Sequence, residues 1–115
     1  MSSNFSFLED KWAILAQLGE MAERNVYIDP HTSLIKLRLF GETLTKYMFA
    51  MEEMVDSREL NQHDRLNQLK QQEFLPQEVL EILHTVRMTG NRASHQAGYG
   101  TSEDAKTQLR LAFKL

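Results

Sequence analysis

The stretch "RMTGNRASH", Arg87 to His95, gathers two arginines, an asparagine and a histidine around Gly90. A histidine can act as general base or acid, and an arginine can neutralise charge developing on a phosphate. Arg87 and His95 are thus sufficient in type for metal-independent cleavage of RNA. The same side chains can instead form a buried hydrogen-bonded clamp between helices, which is the stronger reading because buried polar clusters more often specify packing than catalyse. A second stretch, "RLFGE" from Arg38 to Glu42, repeats the layout, so that RxxGE and RxxGN are two short motifs of one form.

Other chemistries lack their residues. There is no cysteine, and His31, His63 and His84 have no paired spacing of the HExxH kind, so no metal site is expected. No GxxxxGK[ST] phosphate loop, no GxGxxG after a strand and no nucleophile elbow occurs. Met48, Met51 and Met54 fall three apart and read as core packing or cover for a helix end, with a soft partner-binding ridge as the alternative. Glu52 and Glu53 read as a solvated face.

A helical wheel positions the two motifs. With Arg87 at zero and a step of about 100° per residue, Leu80, Leu83, Gly90, Asn91 and Ser94 fall within about 60° and His95 near 80°. Arg87 then continues an inward stripe. Arg38, Gly41, Glu42 and Thr45 likewise fall on the stripe holding Leu34, Leu37 and Phe49. A glycine inside a helix costs about 1 kcal/mol relative to alanine, so Gly41 and Gly90 predict a close helix crossing. An inward arginine needs a partner, and Glu42 is the candidate for Arg87. The expectation is one interhelical network of Arg38, Glu42, Arg87, Asn91 and His95.

Five helices must carry these residues, since nothing alternates with period two for long enough to make a strand. "SFLE" (Ser6 to Glu9) has capping-box form and predicts a first helix over 6–23. Asp29 and Pro30 predict the cap and first residue of a second helix ending at Met54. A polar segment with Leu60, Leu66 and Leu69 gives a third. A fourth opens at Pro76 and stops at Gly98 or Gly100, and a fifth starts at Thr101 or Ser102. Short connections make a compact all-α bundle the expected architecture, in a single domain over 1–115.

Composition agrees. A 42% hydrophobic and 25% charged chain with two prolines and five glycines is an ordered, globular one. Net charge is -3, with residues 1–30 summing to -3 and residues 79–115 to +2, far from the basic stripe of a dedicated nucleic-acid binder. The N-terminus has neither the basic nor the apolar region of a secretion signal, and no stretch approaches the roughly 20 apolar residues of a membrane span. A cytoplasmic protein without membrane contact is expected.

"YIDPHTSLIKLRLFGETLTKYMFA" followed by "LPQEVLEILHTVRMTGNRASH" resembles the helical domain of unknown function at the N-terminus of many type I restriction enzyme R subunits and related DEAD/DEAH-type helicase proteins. The resemblance covers nearly the whole chain, and its most specific parts are "IKLRLFGE" and "RMTGNRASH". It implies a non-catalytic N-terminal domain, without cofactor of its own, that docks other domains of the R subunit or its modification and specificity subunits. The parent protein would translocate and cut DNA with ATP and magnesium, contacting DNA through the whole complex. The apolar ending "RLAFKL" fits an N-terminal fragment of such a longer protein. The domain is also similar to the HEPN superfamily, whose ribonucleases carry a more closely spaced arginine and histidine. Here seven residues separate Arg87 from His95. Arg87, Asn91 and His95 therefore match as a motif, and the alternative reading is a HEPN-type ribonuclease or toxin–antitoxin component with Arg87 and His95 as its catalytic pair.

Overall fold

In a computed structural model that describes residues 12–57 and 59–115, the chain forms five α-helices: α1 (Ala13–Asn25), α2 (Pro30–Met51), α3 (Gln62–Gln71), α4 (Gln77–His95) and α5 (Ser102–Phe113). No strand occurs among the described residues. The capping box at Ser6 to Glu9 lies outside them.

Local chemistry sets the starts. The Asp29 carboxylate accepts the Thr32 amide at 3.2 Å and the Thr32 hydroxyl, while Pro30 occupies the first turn of α2. Those hydrogen bonds hold the Asp29 carboxyl below the usual carboxylate range. Capping boxes open α3 (Asn61 with Asp64) and α5 (Thr101 with Asp104). Pro76 precedes α4 as its N-cap, and Leu60 falls just before α3 rather than within it.

The stops were harder to foresee. α2 ends at Met51, three residues before the expected Met54, because Glu53 turns into the left-handed region at φ 56°. The Met54 amide then bonds the Phe49 carbonyl at 2.8 Å and the Glu53 amide bonds that of Ala50 at 3.3 Å. α3 ends identically: Glu73 has φ 58°, with Phe74 N–H to Leu69 O at 3.2 Å and Glu73 N–H to Lys70 O at 3.1 Å. These are Schellman caps whose left-handed position holds glutamate instead of glycine. Without the glycine, the sequence carries no stop signal there.

α2 is the central helix and packs against the other four. Its Leu37 joins Ala22, Ile82, Val86 and Ala112; its Leu34 joins Val26, Ala93 and Ala105; its Phe40 packs on Leu15. Leu66 of α3 meets Leu80 and Leu83 of α4. Full burial of each of the larger side chains, Leu, Ile, Val and Phe, contributes about 1.5–3 kcal/mol. The polar residues that α2 buries are satisfied: Ser33 Oγ donates across to Ala22 O of α1 at 2.7 Å, and Thr45 Oγ1 to Gly41 O of its own helix at 2.8 Å. Between α4 and α5 the chain turns at Gly98 and Gly100, both at positive φ, and a Cβ on Gly100 would fall 2.7 Å from Leu34 Cδ1. No described helix is long and apolar enough to cross a membrane.

An L-residue in the left-handed region costs roughly 1–2 kcal/mol more than glycine. Glu53→Gly and Glu73→Gly should therefore each raise stability by about 1 kcal/mol in urea denaturation. An unchanged midpoint for both variants would contradict the strain assigned to these caps.

Candidate functional site

Where α4 crosses α2, a Cβ on Gly90 would collide with the Arg38 Cβ and lie 2.9 Å from its Cγ and 3.1 Å from its Cδ. The arginine stem thus lies directly on the α4 backbone. Gly41 is different, since a Cβ there would sit 3.6 Å from Leu83 Cδ2 and from Val86 Cγ1, ordinary van der Waals contact. α2 meets α4 at both glycines, but only at Gly90 is the approach too close for a side chain.

The stem aims the guanidinium at α4. Arg38 Nη1 donates to Asn91 Oδ1 at 3.1 Å, and Arg38 Nε stands 3.9 Å from Glu42 Oε1. This ion pair is partly exposed and of i,i+4 type, worth a fraction of a kcal/mol, about 0.3–0.5 in helices. Arg38, Glu42 and Asn91 are therefore brought together by a hydrogen bond and a loose ion pair. The pairing of Glu42 with Arg87 does not form. Both side chains line one cleft, but Glu42 has its cation four residues back on its own helix, and Arg87 Nε is buried with no hydrogen-bond partner.

His95 stands apart from these residues. The buried residues of α4 are Leu80, Ile82, Leu83, Val86, Gly90 and Ala93, an arc whose centre lies about 80° from Arg87 on the wheel. Arg87 and Asn91 fall on its border and are half-buried, while Ser94 and His95 are exposed. Ser94 Oγ is used in a bond to Gly90 O at 3.1 Å. The inward stripe inferred from sequence is centred on the arginine; apolar burial centres it on Val86 and Gly90, which leaves His95 on the solvent side while Ala93 in the same turn stays buried.

The cleft has a volume of about 160 Å³ and is lined by Glu42, Asn61, Gln62, His63, Arg87 and Asn91. Gln62, absent from the sequence-based set, is 6% exposed. Its Nε2 donates to Thr45 Oγ1 at 2.9 Å and approaches Gly41 O at 3.5 Å, while its Oε1 is buried without a partner. Thr45 gives its one hydroxyl proton to Gly41 O and must accept from Gln62, which fixes the amide orientation. A signal existed: Gln62, Leu66 and Leu69 share the i, i+4, i+7 spacing, so a glutamine stands on the apolar stripe of α3.

Two histidines flank this region. His63 of α3 and His84 of α4 place their rings 5.7 Å apart. Burial, followed by the charges of Arg87, His63 and Lys70, pushes the His84 pKa below its usual 6.5. Spacing along the chain cannot show this pair, which forms only by packing α3 on α4. Among the described residues, no group of three or more His, Asp or Glu is placed to hold a metal ion.

Comparison with known proteins gives a family and a relative. Residues 20–115 match the family described as "Domain of unknown function (DUF4145)". The chain is 35% identical over 113 residues, 98% of its length, to the type I restriction enzyme EcoKI endonuclease subunit of Escherichia coli (strain K12). It spans 9% of the length of that relative. No solved structure matches the chain significantly.

The two glycines should separate in thermal or chemical denaturation. Gly90→Ala forces the Arg38 stem off α4 and should cost about 1–3 kcal/mol, as overpacking does. Gly41→Ala should be neutral or stabilising by up to about 1 kcal/mol, since helix propensity improves without a clash. Equal effects would deny the asymmetric crossing. The lowered His84 pKa has its own signature: the unfolded chain takes up this proton more readily than the fold, so stability falls as pH drops below about 6.5, until the depressed native pKa is passed. In denaturation series between pH 7 and 5, His84→Gln should flatten that slope.

Proposed function

Because the chain belongs to the DUF4145 family of domains of unknown function, and is 35% identical over 98% of its length to a type I restriction endonuclease subunit, we propose that it is a non-catalytic interaction domain at the N-terminus of the R subunit of a type I restriction–modification system. The length-wide identity carries this reading. In it, the parent polypeptide binds ATP and magnesium and translocates and cuts DNA, while the helical bundle docks against other domains of that polypeptide or against the modification and specificity subunits. The domain itself needs no cofactor.

The separation of Arg87 from His95 supports a non-catalytic role. Arg87 lines the cleft and His95 is exposed at the end of α4, so the two do not converge on one reacting group. The clamp of Arg38 on Asn91 has the form of a packing device that holds α2 and α4 in one register.

The test is made in the intact R subunit. His95→Ala should leave restriction of unmodified DNA at its original level, and purified subunit should cleave no RNA with or without that substitution. Gly90→Ala, which loosens the α2–α4 crossing, should weaken assembly with the modification and specificity subunits in size-exclusion or pull-down experiments. RNA cleavage that disappears in the His95→Ala subunit would replace this reading with the HEPN-type ribonuclease.

A further inference from the structure

We propose that the end of the bundle carrying Tyr27, Ile28, Arg92 and Tyr99 is the face on which this domain docks against another domain of its own polypeptide. This docking face deepens the R-subunit reading and rests on it.

The connection between α1 and α2 is short and held at both ends. Val26 is buried against Leu34, Ala93 and Ala105. The Asp29 amide donates back to the Asn25 carbonyl at 2.8 Å, while the Asp29 carboxylate caps α2. Asn25 is tied to its own helix by Nδ2, which donates to Met21 O at 2.7 Å. With both ends fixed, Tyr27 and Ile28 stand out into solvent, 71% and 84% exposed. Among the described residues, Ile28 is the most exposed large apolar side chain.

The connection between α4 and α5 belongs to the same end. His31 Nδ1 donates to the Tyr99 carbonyl at 3.1 Å, and Tyr99 packs on the cluster that holds Val26 and Leu34. The exposed Arg92 places its guanidinium carbon 5.5 Å from the centre of the Tyr99 ring. Tyrosine and arginine are the types that most often carry binding energy at protein interfaces, and a surface already rigid loses little freedom on being covered.

Area selects the occupant. A stable interface between separate chains buries roughly 800 Å² on each partner. Tyr27 and Ile28 expose on the order of 300 Å² together, given the 150–250 Å² that an aromatic side chain buries, and Arg92 with the half-buried Tyr99 does not close the gap. A domain on the same polypeptide needs less contact, because a tether holds it at an effective concentration of about millimolar. Most of such a polypeptide lies outside the present chain, which spans 9% of the length of the restriction subunit it resembles. The complementary surface is an apolar recess for Ile28 and the Tyr27 ring, with oxygen acceptors in reach of Arg92 and the tyrosine hydroxyl.

Hydroxyl-radical footprinting read by mass spectrometry is applied to the isolated chain, to the intact R subunit, and to that subunit assembled with its modification and specificity subunits. Tyr27 and Ile28 should be oxidised readily in the isolated chain and at least about tenfold more slowly in the R subunit alone. Tyr27→Ser combined with Ile28→Ser should leave melting of the isolated chain unchanged, since both side chains are exposed. In the R subunit the same pair should return Tyr99 oxidation to its isolated-chain rate. Equal oxidation of Tyr27 and Ile28 in chain and subunit would overturn the proposal. So would protection that appears only on adding the other subunits, or protection of the isolated chain that grows with its concentration, which assigns the face to a second copy. Restriction of unmodified DNA by the assembled enzyme separates the two questions. Its absence removes the R-subunit reading and the occupant with it, whereas restriction with Tyr27 and Ile28 unprotected overturns the docking face alone.

Discussion

The arrangement depends on the contact between the α4 backbone at Gly90 and the stem of Arg38. Any side chain at Gly90 would push the arginine away. With none there, the aliphatic carbons lie flat on α4 and the guanidinium has one direction left to take, toward Asn91. Close packing makes this binding in both senses, because interiors tolerate neither overlap nor an unfilled gap of that size. The crossing sets which α2 residues face which α4 residues, and thereby places Glu42 and Arg87 in one cleft without pairing them. α3 then closes that cleft by burying Leu66 against Leu80 and Leu83.

The helical class and the starts of α2 and α5 could be read directly, since Asp29–Pro30 and Thr101–Asp104 are local chemistry that acts within one turn. The ends of α2 and α3 could not, because their caps force Glu53 and Glu73 into a conformation that sequence normally marks with glycine. Arg38, Asn91 and Gly90 were legible as a unit because two glycine-containing motifs of the same form demanded a packing reason. His95 was misplaced by a rotation: a wheel centred on the most polar residue of a stripe puts that residue inward, whereas burial of Val86, Gly90 and Ala93 decides the true centre. Gln62 was visible only as a polar residue on an apolar spacing, and the His63–His84 pair not at all, since no single helix contains it.

Buried polar groups left without partners are costly, about 1–3 kcal/mol each by their desolvation. The bundle satisfies Ser33 and Thr45 within one or two turns or on the neighbouring α1, so it has the means to avoid such costs. Four side-chain atoms among the described residues are nevertheless buried without a partner: Arg38 Nε, Gln62 Oε1, Arg87 Nε and Gln108 Oε1.

The two glutamate caps have a consequence for cooperativity. Glu53 stands at the end of α2 and Glu73 at the end of α3, so the 54–72 segment is bracketed by two backbone turns that would relax on release. Each also places a negative charge where the helix dipole is negative. α3, ten residues long and anchored mainly by Leu66, Leu69 and Gln62, is thereby the unit whose detachment from the α1–α2–α4–α5 body is opposed least. Because Gln62 and the first amides of α3 form one wall of the cleft, anything that bridges the cleft ties this detachable unit to α2 and α4. Occupancy and the closing of α3 are then a single linked equilibrium.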